Sequence, residues 1–469
     1  MLIREVEIDG QAPLDVRLQE GRVQEIARSL EPGTGESVFP ARGGVLLPGL
    51  HDHHIHLMAL AARRTSLPCG PPEVRDSAAL ARQLEQARPD PRSGWIRGVG
   101  YHDSVAGPLD RWTLDAWVPE HRLRIQHRSG ALWILNSAGL EALGIDAADC
   151  VLPPGAQRDA RGLPDGRLLR CDDWLRAQST EQEPPDLRPV GQQLAAFGVT
   201  GVTDATPHNG AEELSMLSRA SQEGALPQRL CVMGRRDLPC SGNPRVERGA
   251  LKLWISEHEL PDLRDLLREI EGAHEADRPV AIHCVTRSEL VLAASALATA
   301  GGHPRDRIEH AAITPPDLME QLARIPVTVV TQPNFLWERG DRYAREVDPG
   351  DLPWLYRCRG FEEAGVSLAG GTDAPFGNPD PWRAMQAAVE RCSEGGLCLG
   401  GEERLRPEEA LALFTRPLED PGAAPRRVEP GAPADLCLLD RPWTRARDSL
   451  EADCVAATFC DGKLVWRAR

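Results

Sequence analysis

Nowhere does the 469-residue sequence approach the run of about 18 uninterrupted apolar residues that a membrane-spanning helix requires. It also lacks a basic cluster, since 54 Lys+Arg stand against 70 Asp+Glu for a formal net charge of -16. That balance argues against nucleic acid or an anionic membrane as a partner. No CxxC pair occurs among the 12 cysteines, so a cysteine zinc site is not expected. The N-terminal stretch MLIREVEIDGQAPLDV has no positive region followed by an apolar run, so no signal peptide is expected either. Without an export signal a disulfide framework is disfavoured, and the expectation is a cytoplasmic protein with mostly reduced core cysteines. Internal repeats are absent from the sequence.

What is present suits a soluble globular chain able to bury a large core, with 41% hydrophobic and 26% charged residues. The length exceeds one ordinary core, so a large barrel with an appended domain, or two to three domains, is expected. The first 30 residues alternate apolar and polar around Gly turns, and ADLCLLD and CVAATFCDGKLVW near the C-terminus do the same. Both ends therefore read as short antiparallel strands able to close one small sheet domain.

Between them, apolar runs alternate with helical stretches, the pattern of a parallel sheet built from strand-helix units. Eight candidate strands follow: GGVLLPGL leading into a histidine cluster, then 199–205, 228–234, 250–256, 279–285, 306–312, 327–332 and 366–374. Eight units predict an α/β fold of the (β/α)8 barrel type, whose chemistry sits at the C-terminal ends of the strands. Roughly 140 residues separate the first strand from the second, far too many for one crossover, so an inserted lobe is expected there. The expected organisation is 1–44 with 418–469 as the terminal sheet domain and 45–417 as the barrel, interrupted by a lobe at about 62–195.

The stretch PGLHDHHIHL, residues 48–57, carries four histidines in six positions, and two His-x-His pairs can be drawn through it. Successive strand side chains point to opposite faces, so 52, 54 and 56 share one face and 51, 53 and 55 the other. Ile55 and Leu57 suit the helix side, which points His54 and His56 inward and His51 and His53 away. The later strands carry Lys252, His283, His310 and Asp373 at or near their C-terminal ends. A lone strand histidine is usually a hydrogen-bonded core residue, but in a closed barrel all these groups converge on one mouth. Imidazoles with a carboxylate suit zinc, iron, manganese or nickel, and zinc is the default for hydrolysis. Lys252 alternates with Leu251 and Leu253, so it faces the barrel, where burial favours the neutral amine.

PGLHDHHIHL, then KLW, IHC, IEH and GTDAP in this order, resembles the amidohydrolase superfamily. GWIRGVGYHDS, LWILNSAGLEALGI, GVTGVTDA and PGAPADLCLLD extend the likeness to the amidohydrolase family 3 branch that includes N-substituted formamide deformylase. The resemblance implies a distorted (β/α)8 TIM barrel with a small β-sandwich built from both termini. It implies His54, His56, His283 and His310 as metal ligands, and Asp373 as both ligand and acid/base. Lys252 falls where many relatives carry a carboxylated lysine bridging two metals. One motif departs from the branch: RSGALW has Ser129, Gly130 and Ala131 where Asp-Gly-His is common, so the substrate does not transfer from the resemblance.

The expected activity is hydrolysis of a C–N bond in an amide, formamide or cyclic amide-like small molecule, by metal-activated hydroxide with Asp373 as base and then acid. One or two zinc ions per chain are expected. The rivals are a mononuclear deaminase, an ester or lactone hydrolase on the same scaffold, and a non-catalytic barrel. Tyr101, His102, Arg287, Asn334 and Trp337 are positional candidates for substrate contact. The size admits a homodimer, though no surface in the sequence identifies one.

Overall fold

The computed structural model describes residues 1–71, 73–91, 93–178 and 184–468. The chain divides into two compact units, Met1–Leu57 with Leu187–Arg469, and Met58–Asp186.

The first unit holds an eight-stranded parallel sheet: β1 (Leu50–Ile55), β2 (Val199–Asp204), β3 (Arg229–Gly234), β4 (Val246–Trp254), β5 (Val280–Cys284), β6 (Asp306–His310), β7 (Val327–Thr331) and β8 (Ser367–Gly370). The strands neighbour one another in chain order, each pair parallel. Just past the ends of β8 and β1, Asp373 N donates to His54 O (2.7 Å) and His56 N to Ala374 O (2.8 Å), which draws the sheet into a nearly closed barrel. These strands are apolar runs because both faces are covered; every residue of β1, β2, β6 and β7 is buried. The intervening helices bury one stripe, as Leu263–His274 does with Leu266, Ile270 and Ala273. The helix Arg287–Ala300 starts with a capping box in which Thr286 N donates to Glu289 Oε2 at 3.0 Å. Glu289 also accepts from Glu257 N at 2.9 Å, tying the segment after β4 to the end of β5.

The run GGVLLPGL does not form one barrel strand as expected. Leu46–Pro48 pairs antiparallel with Leu436–Leu439, and the barrel strand begins only at Leu50. Pro48 has no N–H for a continuing ladder, and Gly49 passes so close to β2 that a Cβ there would lie 2.2 Å from Thr200 Cγ2. Two four-stranded sheets result at the termini. One is Arg22–Ala27, Gln11–Gln19, Leu2–Ile8 and Val38–Pro40; the other is Lys463–Arg467, Val455–Cys460, Leu436–Leu439 and Leu46–Pro48. They sandwich one core of Ile3, Val6, Val16 and Val23 against Leu436, Leu438, Ala457 and Phe459.

The second unit, Met58–Asp186, is built on a six-stranded sheet in the order Ala156–Arg158, Pro164–Leu169, Leu132–Leu135, Arg122–His127, Trp95–Tyr101, Leu67–Pro68. Its core gathers Leu80, Leu84, Ile96, Leu114, Leu123, Ile125 and Ile134. Of the cysteines, Cys392 and Cys398 form a disulfide six residues apart, which the spacing did not indicate. The other described cysteines are free and mostly buried. No helix among the described residues is long and apolar enough to cross a membrane.

Candidate metal centre

The four histidines divide into the two expected pairs, although β1 shifts register against β2 between Asp52 and Ile55. His51 and His53 face the helix side, where His51 Nδ1 contacts Arg416 O at 2.9 Å. The His51 ring packs where Gly201 leaves space, since a Cβ at 201 would lie 2.5 Å from it. His54 and His56 share the opposite face, their ring centroids 5.4 Å apart.

Asp373, just past β8, completes a cluster: its Oδ1 lies 3.2 Å from His56 Nε2 and 3.5 Å from His54 Nε2. One ligand atom from each of these three residues falls within 4.8 Å of the others. The His310 ring is 4.8 Å from that of His54 and 4.5 Å from that of His283. Lys252 is buried at 6% exposure, and its Nζ has no hydrogen-bond partner among the described residues. The structure thus gathers His54, His56, His283, His310 and Asp373 around one mouth, with Lys252 close enough to bias their charges.

Three of the four histidines engage the ring nitrogen away from the cluster. His54 Nδ1 meets Glu309 Oε2 at 2.5 Å, His56 Nδ1 meets Thr206 Oγ1 at 2.9 Å, and His310 Nδ1 meets Gln332 Oε1 at 2.7 Å. Such partners fix which nitrogen is left to bind a cation. Glu309 is itself held by Arg307, whose Nε donates to it at 2.8 Å. Asp52 accepts from Thr372 Oγ1 (2.5 Å) and His54 N (3.1 Å), coupling β1 to the end of β8.

Thr206, Glu309 and Gln332 are absent from the sequence-level assignment. Glu309 had a signal, the motif IEH, but strict alternation would put it opposite His310. Both reach the cluster because His310 has φ 71 and Ala311 φ 46, so the chain leaves the pleat at the strand end.

Burial dominates the electrostatics. It lowers the His54 pKa to about 3, with Lys252 adding to the effect, and keeps His283 well below its usual value. His310 is lowered for the same first reason. Burial alone would raise the Asp373 carboxyl, but the approach of His56 Nε2 to its Oδ1 at 3.2 Å outweighs it and holds Asp373 below the usual carboxylate range. Burial lowers Lys252, opposed by the charge of Glu309. Imidazoles held neutral at His54, His283 and His310, the His56 ring beside them, an ionised carboxylate and an unpartnered buried amine form a donor set that fits one or two divalent cations.

The positional candidates for substrate contact are each engaged within the protein. Arg287 pairs with Asp351 and stacks over Trp354 at 4.8 Å. Asn334 is fully buried and donates to Thr372 O and Glu338. Trp337 lies under the Arg383 guanidinium at 4.5 Å. In the second unit, Tyr101 is a core residue whose hydroxyl donates to Gly107 O. His102 caps the helix Asp103–Ala106, accepting from Ser104 N.

Residues 37–466 match the profile described as the amidohydrolase family. The chain is 25% identical over 496 residues to the N-substituted formamide deformylase of Arthrobacter pascens, covering 91% of this chain and 89% of that one. A metal-dependent hydrolase from Pyrococcus horikoshii OT3 has a similar structure, with a TM-score of 0.74 at 19% identity over 94% of this chain and 97% of that one. Zinc-complexed atrazine chlorohydrolase TrzN from Arthrobacter aurescens TC1 superposes with a TM-score of 0.56 at 14% identity, over 99% and 95%. At these identities the two structural likenesses show the fold.

Proposed function

The chain belongs to the amidohydrolase family of metal-dependent hydrolases, and from that premise we propose that it hydrolyses the C–N bond of an amide, formamide or cyclic amide-like small molecule. The observation that carries the proposal is the convergence of His54, His56 and Asp373 within ligand distance of one another, with His283, His310 and Lys252 beside them. These residues would hold zinc, with Lys252 in carboxylated form where two ions bind. When bound, the metal polarises the carbonyl and makes the attacking water more acidic. Asp373, ionised in its buried setting, accepts the proton of that water as the oxygen bonds to the carbonyl carbon. It returns the proton to the nitrogen as the C–N bond breaks. Glu309 and Gln332, as acceptors, fix the tautomers of His54 and His310, and Thr206 holds the His56 ring in place, so the site is ordered before substrate arrives.

The unpartnered Lys252 Nζ favours the carboxylated, binuclear form over a mononuclear one. Lys252 and Lys463 are the only lysines in the sequence, which makes the modification easy to isolate. Protein prepared in ¹³C-bicarbonate with zinc should show one carbamate carbon resonance that disappears in Lys252→Arg, with about two metal equivalents per chain that fall sharply in His54→Ala. A panel of N-alkyl formamides, N-acyl amino acids and lactones tests the bond class. Turnover of lactones alone, or no metal in either protein, would overturn the proposal.

A further inference from the structure

The helix Asn334–Glu346, which follows β7, sends three side chains of its first turns to the loop that carries Asp373. Asn334 Nδ2 donates to Thr372 O at 3.1 Å and to Glu338 Oε1 at 3.0 Å. That same Glu338 oxygen accepts from Asn378 N at 2.8 Å. Arg339 Nη2 donates to Phe376 O, while its guanidinium lies 3.8 Å over the Phe335 ring. The backbone is thus held at 372, 376 and 378, on both sides of Asp373. Between those points Gly377 has no room for a side chain, since a Cβ would sit 2.3 Å from Thr372 O and 2.4 Å from Asn334 Nδ2.

The loop needs holding. Asp373 has φ 55, a left-handed conformation that L residues adopt at a cost and keep only where their surroundings enforce it. Its own carbonyl accepts from Phe376 N (2.8 Å) and Gly377 N (3.1 Å), a tight turn that swings the carboxylate toward His56. Phe376 then packs edge-on against the His56 ring, centroids 5.4 Å apart. A buried carboxylate is costly unless its oxygens are used, and the hydrogen bonds from Asn334 and Asn378 converge on one Glu338 oxygen facing this loop.

We propose that Asn334, Glu338 and Arg339 form a clamp that positions Asp373, so that the direction of its carboxylate toward the metal site is set from the helix after β7. The clamp rests on the reading of Asp373 as acid/base and ligand, and assigns Asn334 a positioning role in place of substrate contact. Glu338 is the pivot because one of its oxygens joins Asn334 to Asn378.

The test uses full-length protein loaded with cobalt(II), comparing Glu338→Ala, Glu338→Gln and Asn334→Ala with the parent and Asp373→Asn. Hydrogen exchange of the segment 371–378, the visible cobalt spectrum, and kcat and KM on an N-alkyl formamide are measured together. In Glu338→Ala the segment should exchange at least about tenfold faster and the cobalt bands should shift. Metal stoichiometry should hold, and kcat should fall by about 10- to 100-fold with KM within about threefold. Glu338→Gln keeps an acceptor oxygen for both donors and should stay near the parent in every readout. Asn334→Ala, which leaves Glu338 bonded to Asn378, serves if Glu338→Ala does not fold, and should show smaller changes of the same kind. Parent-like exchange and cobalt spectrum in Glu338→Ala or Asn334→Ala would overturn the clamp. So would an unchanged kcat beside a dead Asp373→Asn. Full activity in Asp373→Asn would instead remove the acid/base reading, leaving exchange and spectrum to decide the clamp.

Discussion

Glu309 shows how much of the site depends on a residue that never touches the reacting atoms. Its carboxylate is fully buried, receives Arg307 from below and meets His54 Nδ1 at 2.5 Å. Burial would raise its pKa, yet Arg307 and Lys252 keep it well below the usual carboxylate value. It therefore stays charged, accepts the Nδ1 proton, and leaves Nε2 of His54 as the lone-pair donor. Glu309→Gln keeps the volume and removes the charge, and should weaken zinc binding by about 10- to 100-fold. Competition against a chromogenic chelator measures this, and unchanged affinity would reject the orienting role. Legibility in the sequence follows the same local logic. His54 and His56 could be picked from four histidines by period-2 alternation, and the pair comes out together even though β1 shifts register against β2 between Asp52 and Ile55. Glu309 and His310 could not both be turned inward by any alternation rule, because the positive φ at His310 is a feature of the folded strand end.

At the level of elements, seven of the eight barrel strands lie where apolar runs announced them, because a parallel strand covered on both faces has to be apolar throughout. The first strand is the exception, and its cause is long-range. Leu46–Pro48 is claimed by Leu436–Leu439 from the far end of the chain, a pairing with no local signature. The switch from sandwich to barrel happens at Gly49, whose N donates to Asp435 O at 2.8 Å while Thr200 fills the space beside its Cα. Gly49→Ala should destabilise the protein by about 1–3 kcal/mol through this overlap. Because the obstructing atoms are the Thr200 side chain, Gly49→Ala with Thr200→Ala should recover most of the loss. Urea denaturation of the two variants decides the matter; equal stability of single and double variants would show that the cost lies in the backbone at residue 49 instead.

Across the whole molecule, burying imidazoles to make a metal site has a consequence for acid stability. His51, His53, His54, His283 and His310 all have pKa values lowered first by burial, His54 to about 3. In the unfolded chain they take up protons near pH 6.5, whereas the folded chain does not. The contribution of these histidines to the stability of the metal-free protein is therefore full above about pH 6.5 and falls as pH drops toward the folded values, by up to about 1.4 kcal/mol per pH unit for each histidine. Asp52 and Asp380 act in the opposite sense, since burial raises each to about 6 and the folded chain binds their protons first. Burial raises Glu247, Glu338 and Glu362 in that same sense, so the histidine contribution is isolated one residue at a time. His53 separates this effect from metal binding, because both its ring nitrogens lack hydrogen-bond partners among the described residues and it faces away from the cluster. His53→Leu removes one titrating group and an unsatisfied buried polar ring. In chelator-treated protein it should raise stability at pH 7.5 by about 1 kcal/mol and by more at pH 5.5. Denaturation curves at the two pH values test the sign directly: a His53→Leu gain that shrinks as pH falls would mean that the folded protein protonates this ring, and that its buried histidines are not held neutral by the fold.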